Sequence, residues 1–383
     1  MNETNRSSKQ ISQLRQRLLE WYEQNRRELP WRQSHDPYAI WVSEIMLQQT
    51  RVAVVIERYN AFLTRFPTLV ALALGREDEV LALWSGLGYY RRARMLHKAA
   101  QFVAGTHHGN LPTTAAELRK LPGIGDYTAA AIASIAHNEP VAVVDGNVER
   151  VMCRMEGWDA VERSRRVALR RRVEELAKKE LDRKRPGDFN QAMMELGAMV
   201  CTPRNPQCLT CPIAFGCATQ GEHKTPARPK MLSRQVGFAL SVRTSPTPQK
   251  TRKKTAGHSE REVLLEKRPA TETVMPGMWE LPTLKETEFP ESDLRMTLRH
   301  AIMQVNYYVC IRTVFEDDVP ALTVEGQEQR WVPLDEAGQM ALTGLARKVL
   351  TRARLLPTPP MDRIIGSGAD DPLQDRAPDK RRI

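Results

Sequence analysis

Two carboxylates stand in apolar surroundings where a sequence has little reason to put them. Glu44 lies inside YAIWVSEIMLQQ, a stretch that reads as a helix apolar on nearly every side, between Val42 and Ile45. A charge there is costly unless it is paired or used. It is either one half of a buried ion pair with a nearby arginine or a general acid with a raised pKa. Asp145 follows the apolar run Val141–Val144 and, with Gly146, reads as the N-cap of a further helix. Upstream of it, LPGIG over 121–125 predicts a tight hairpin after a helix ending at Lys120, with a small-residue helix starting near Tyr127. Gly123 and Gly125 allow φ > 0 and let a ligand approach the backbone. The free N–H groups of the next helix would then face an anion. An ordinary αα-hairpin whose glycines only make a turn is the plainer reading.

A second chemistry lies in Cys201-x6-Cys208-x2-Cys211-x5-Cys217. Four thiolates can hold a tetrahedral zinc or a cubane iron–sulfur cluster. The remaining two cysteines, Cys153 and Cys310, read as buried free thiols. A third candidate is SGLGYYRRARMLHKAA, where Tyr89 and Tyr90 precede Arg91, Arg92 and Arg94. Aromatics stack on bases and arginine binds phosphate, so this loop reads as a duplex probe, or as a turn with its tyrosines packed inward.

The elements that must position these groups are read from length and periodicity. The 383 residues favour two or three domains. Lys and Arg total 57 against 46 acids, a net charge of +11 that suits a polyanionic partner. No apolar run approaches the ~20 residues of a membrane span. MNETNRSSKQ lacks the apolar core of a signal peptide, so the expected location is cytoplasmic. Helices are expected over 11–29, from Asp36-Pro37 through Gln49, over 51–65, around 79–84 and over 189–200. Thr50 is expected to cap the third of these. The basic stretch ERSRRVALRRRVEELAKKELDRKR reads as a helix with a solvated face.

Together these motifs resemble the helix-hairpin-helix DNA glycosylases that carry a later catalytic Asp. The segment LPWRQSHDPYAIWVSEIMLQQT narrows the resemblance to the adenine DNA glycosylase (MutY) family. The resemblance implies a mainly α glycosylase fold for the first part of the chain and a [4Fe–4S] loop for the cysteine spacing. It also implies roles for single residues. Glu44 falls on the family residue that protonates N7 of adenine. Trp31, Arg32 and Gln191 match residues that line the base pocket. Gln49 and Tyr89 match residues that wedge into the duplex, and Gly123 and Gly125 match the turn that holds a phosphate. Asp145 would stabilise the oxocarbenium-like sugar, with Asn147 and Tyr127 supporting the carboxylates. The implied partner is double-stranded DNA with adenine opposite 8-oxoguanine or guanine, met by a nucleoid-associated monomer.

The glycosylase domain is expected over 1–218 and a linker over 219–235. A smaller α+β, Nudix-like domain reading 8-oxoguanine is expected over 236–355, with a disordered tail over 356–383. The strand candidates are VGFALSVRT, EVLLEKRP, NYYVCIRTVF and QRWVPL, with a helix near 335–350 and a mobile basic loop over 244–260. Many relatives carry Phe-Ser-His after an Arg-His pair; here Arg299-His300 leads to Ile302, Met303 and Gln304. Two other functions compete. An endonuclease-III-like enzyme for oxidised pyrimidines needs an amine nucleophile, and in those relatives a lysine stands where Tyr127 stands here. A non-catalytic DNA-binding module would have no use for Glu44 and Asp145.

Overall fold

The computed structural model describes residues 6–158, 166–223, 230–245, 261–287, 289–324 and 327–357. The chain divides into two compact units, Met1–Lys230 and Met231–Ile383.

The first unit is helical: α1 (Ser8–Asn25), α2 (Pro37–Leu47), α3 (Val52–Arg65), α4 (Leu69–Leu74), α5 (Glu77–Leu83), α6 (Arg91–Thr106), α7 (Ala115–Leu118), α8 (Asp126–His137), α9 (Gly146–Glu156), α10 (Arg166–Glu180) and α11 (Pro186–Met199). Asp36 caps α2 by accepting from the Tyr38 N–H at 3.0 Å, and Pro37 occupies the first turn, where its missing N–H costs nothing. Every residue of α2 from Tyr38 to Met46 is buried, Glu44 among them. The alanines of α8 let it lie close to α2: Thr128 to Ser134 are all buried. Leu14, Leu18 and Tyr22 of α1 share a core with Val148 and Val151 of α9, Val173 of α10 and Leu196 of α11. The buried Arg6 donates to Glu180 at 3.0 Å, pairs with Glu156 and reaches the Gly216 carbonyl at 3.3 Å, tying the start of this unit to the cysteine loop.

Two local expectations need correction. Thr50 does not cap α3: the N-cap is Arg51 with no side-chain bond, and the Thr50 hydroxyl donates to the Leu87 carbonyl at 3.2 Å. Only Gly123 of the hairpin pair uses a positive φ, at +75°, where a Cβ would sit 2.7 Å from the Met95 Cβ. Gly125 has φ −93° and N-caps α8 without a side-chain bond, and nothing would meet a Cβ placed on it.

The second unit is α+β: β1 (Leu232–Leu240), β2 (Val242–Thr244), β3 (Arg261–Lys267), β4 (Trp279–Glu280), β5 (Leu294–Ile302), β6 (Val305–Thr313), α12 (Val319–Leu322), β7 (Glu328–Pro333), α13 (Leu334–Ala337) and α14 (Gly344–Arg352). β1 pairs parallel to β6, which pairs antiparallel to β5; β3 pairs antiparallel with β2, β4 and β7. β1 starts inside the stretch read as linker, and VGFALSVRT is two strands broken at Ser241. β5 lies outside the strand candidates of the sequence. The single helix expected near 335–350 is two helices: Thr343 takes its N–H to the Trp279 carbonyl at 2.8 Å and its side chain caps α14. Residues 246–260 and 358–383 lie outside the described residues.

Candidate active site

Residues on α2, α8, α9 and α11 converge on a cavity of about 590 Å³. Its lining brings together Trp31, Arg32, Glu44, Gln49, Tyr127, Asp145, Asn147 and Gln191, which the sequence scatters over 161 positions between first and last (31 to 191, counted inclusively). Glu44 is 5% exposed. The Tyr127 phenol donates to its Oε2 at 2.5 Å, and among the described residues no lysine or arginine pairs with it. The ion-pair reading of Glu44 therefore falls away: Arg32 spends its fork on Glu195 instead. Burial pushes the Glu44 pKa up to about 7, and the Asp145 charge adds to the rise. The Tyr127 hydrogen bond and the Arg32 charge oppose it. With Oε2 taken by the phenol, the acid proton belongs on Oε1. Tyr127 stays protonated because burial and the neighbouring carboxylates push its own pKa well up.

Asp145 does cap α9: its Oδ1 accepts from the Val148 N–H at 2.7 Å. Oδ2 accepts from the Asn147 side-chain Nδ2 at 3.1 Å, and the Asn147 side-chain Oδ1 accepts from Arg150 at 2.8 Å. Arg150 also donates to the carbonyls of Gly197 and Cys201, at 2.7 and 2.8 Å. Close approach of α11 makes this possible, since a Cβ on Gly197 would lie 2.6 Å from the Asn147 Cβ. Trp31 is buried, edge-on to Tyr59 at 5.4 Å.

Sequence reading missed Glu195. It is 1% exposed on α11 and accepts from Arg27 at 2.8 and 2.7 Å and from Arg32 at 3.1 and 2.8 Å. Burial alone would raise its pKa, but these arginine bonds overcome that and hold it down at about 2. The signal was present: Met193, Met194 and Leu196 surround it, as apolar residues surround Glu44.

Of the expected DNA-facing residues of this unit, Gln49, Tyr89 and Gly123 line a neighbouring cavity of about 520 Å³ together with Arg92, Met95 and Pro122, among others, whereas Gly125 is exposed and not part of that lining. Gln49 is exposed and Tyr89 is 49% exposed, whereas Tyr90 is buried, so the loop holds one tyrosine of each kind. Arg92 turns inward and is no phosphate ligand. In the second unit, Ile302 ends β5, and Met303 and Gln304 are the two residues of the β5–β6 hairpin turn. Met303 has φ +54° and is 74% exposed. A left-handed residue suits such a turn but usually falls to Gly or Asn.

Cys201, Cys208, Cys211 and Cys217 line one cavity beside Arg154, whose guanidinium lies 3.3 Å from the Cys201 Sγ. Among the described residues no group of three His, Cys, Asp or Glu side chains closes on a single ion; the four thiols surround a space instead. Burial pushes Cys211 to about 11, and its three neighbouring cysteines add to the rise. Four thiolates so placed need compensating positive charge, which a multi-iron cluster supplies. Cys153 and Cys310 are buried and free.

Residues 42–179 match the HhH-GPD superfamily of base excision DNA repair proteins. This stretch is an HhH-GPD domain. Residues 201–217 match the iron–sulfur binding domain of endonuclease III, bounded by Cys201 and Cys217, and the cofactor is a [4Fe–4S] cluster. Adenine DNA glycosylases are similar along this part of the chain. The Rattus norvegicus protein is 48% identical over 216 residues, covering 54% of this chain and 42% of that protein. The Homo sapiens protein is 47% identical over 217 residues, covering 54% and 39%. The chain thus spans about two fifths of the length of these relatives. A solved thermostable thymine-DNA glycosylase aligns with a TM-score of 0.50 and 27% identity, covering 55% of this chain and 97% of that one. The HhH-GPD domain contains Glu44, Tyr127, Asp145 and Asn147; Gln191 and Glu195 lie beyond it. Among the described residues no helix is long and apolar enough to cross a membrane.

Proposed function

We propose that this protein removes adenine from duplex DNA by hydrolysing its N-glycosidic bond, acting on adenine opposite 8-oxoguanine or guanine. The observation behind this reading is Glu44: a buried acid with a pKa of about 7, one oxygen held by Tyr127, in a cavity it shares with the helix-capping Asp145. A base must leave the stack to enter such a cavity, at a cost of a few kcal/mol. Glu44 then gives its proton to the leaving adenine. As the bond breaks, the sugar gains positive charge, and Asp145 stabilises it electrostatically. Asn147 and the α9 N–H groups keep that carboxylate oriented. Glu44, now ionised, takes a proton from the attacking water. Trp31, Arg32 and Gln191 bound the base, and Gln49 and Tyr89 hold the gap it leaves.

The cluster is assigned to Cys201, Cys208, Cys211 and Cys217; it supplies folding free energy to the loop after α11. The HhH turn at Gly123 and Gly125 takes a backbone phosphate. The second unit serves as a Nudix-like reader of the opposite base through Ile302, Met303 and Gln304. The protein acts as a monomer on nucleoid DNA in the cytoplasm.

Single-turnover assays on duplexes with adenine opposite 8-oxoguanine, adenine opposite guanine, or thymine glycol test this, each with and without alkaline strand cleavage. Adenine release with breaks only after alkali is expected. Thymine glycol excision with direct strand cleavage would overturn the reading.

A further inference from the structure

Gln49 and Tyr89 share an uncommon backbone, with φ +56° and +46°. Residues with a Cβ avoid this region unless the surroundings hold them there. One side chain holds both. Arg92, in the first turn of α6, donates from Nη1 to the carbonyls of Ile45 at 2.6 Å, Met46 at 3.1 Å and Gln48 at 2.5 Å. Its Nη2 donates to the Thr50 hydroxyl at 3.1 Å and to the carbonyls of Leu87 at 3.0 Å and Gly88 at 3.2 Å. One nitrogen therefore fixes the peptide before Gln49 and the other the peptide before Tyr89. The Thr50 hydroxyl closes the ring by donating to the Leu87 carbonyl. The guanidinium carbon lies 5.4 Å from the Trp84 ring centre and 5.6 Å from that of Tyr89. Among the described residues no carboxylate pairs with this cation, so carbonyls, a hydroxyl and ring faces alone compensate its burial. Burial lowers its pKa to about 10, which leaves it charged at neutral pH.

We propose that Arg92 is a positioning residue that locks Gln49 and Tyr89 into one rigid pair of probes, so that both enter the duplex together. The proposal rests on the reading of the first unit as a DNA glycosylase that opens the base stack. A planar fork can span two loops, whereas an ammonium presents its donors from one point. Arg92→Lys should therefore keep the charge and serve one loop, and Arg92→Met should release both.

The test uses the full, cluster-bearing protein and a duplex with 2-aminopurine beside an adenine opposite 8-oxoguanine. Its fluorescence reports opening of the stack whether or not excision occurs. A second substrate carries adenine opposite an abasic gap, where no partner must be broken. Circular dichroism and cluster absorbance confirm that each variant is folded. Wild type should open the stack; Arg92→Met should lose roughly tenfold or more in opening and in excision from the mispair, with Arg92→Lys between them. Excision opposite the gap should change far less. Adding Arg92→Met to a Gln49→Ala, Tyr89→Ala background should have no further effect on opening. Arg92 variants that open the stack like wild type, or that lose both substrates equally, would overturn the proposal. If wild type opens the stack and excises nothing, the glycosylase reading fails, and the opening comparison still decides for or against Arg92.

Discussion

Glu44 and Glu195 line the same cavity, one from α2 and one from α11, and both are almost fully buried. Their surroundings drive them apart. Glu44 has a phenol on one oxygen and rises to about 7. Glu195 has two arginines and falls to about 2. At neutral pH one carboxyl is poised to give a proton and the other is fixed as an anion. Environment rather than residue type has made an acid of one and an anchor of the other.

The comparison breaks most sharply at Glu44 itself. Glu44→Gln keeps the shape and removes the proton donor; single-turnover excision should fall by roughly 10²–10⁴ while mispair binding persists. Glu195→Gln should act differently. It leaves Arg27 and Arg32 short of a charged acceptor, at a cost of roughly 1.5–3 kcal/mol in stability, read as a lower urea midpoint. Its pH signature is also distinct. The folded-state pKa of about 2 lies below the ordinary 4.5, so the stabilisation is present above pH 4.5 and is lost as the pH falls towards 2. The variant should lack that acid-side loss, and a variant that melts like wild type at every pH would show the anchor to be idle.

Gly197→Ala sharpens the Asp145 side. The new methyl group would crowd Asn147 and loosen its hold on Asp145, at a packing cost of roughly 1–3 kcal/mol. Excision should slow while its pH dependence stays in place, because Glu44 is untouched. Tyr127→Phe is the smallest and most diagnostic change. The phenol lowers the Glu44 pKa, so its removal should move the alkaline fall in rate to higher pH. A shift to lower pH would contradict the assigned role of that hydrogen bond.

Much of this site was legible in the sequence because its groups violate local rules. A carboxylate in an apolar helix, a Pro-Gly-Ile-Gly turn and an Asp before Gly146 each stand out within a few residues. What stayed hidden depends on partners far along the chain. Arg92 sits in an arginine-rich loop like any phosphate ligand; only the fold turns it onto the Gln48 and Gly88 carbonyls. Glu195 obeys the same rule as Glu44, yet its Arg27 and Arg32 partners lie more than 160 positions away. In the second unit, β5 alternates Leu294, Met296 and Leu298 with Arg295, Thr297 and Arg299, but His300 and Ala301 then exchange the apolar and polar places and interrupt the period before Ile302. The left-handed Met303 carries no turn signal of the usual Gly or Asn kind.

The pH dependence of single-turnover adenine excision, measured for wild type and Glu44→Gln at saturating protein, tests the central claim most directly. Glu44 works when protonated, so the wild-type rate should hold below pH 7 and fall about tenfold per pH unit well above it. The residual rate of Glu44→Gln should lack that fall. An alkaline fall that persists unchanged in Glu44→Gln, or a wild-type rate that rises through pH 7, would assign the proton to another group.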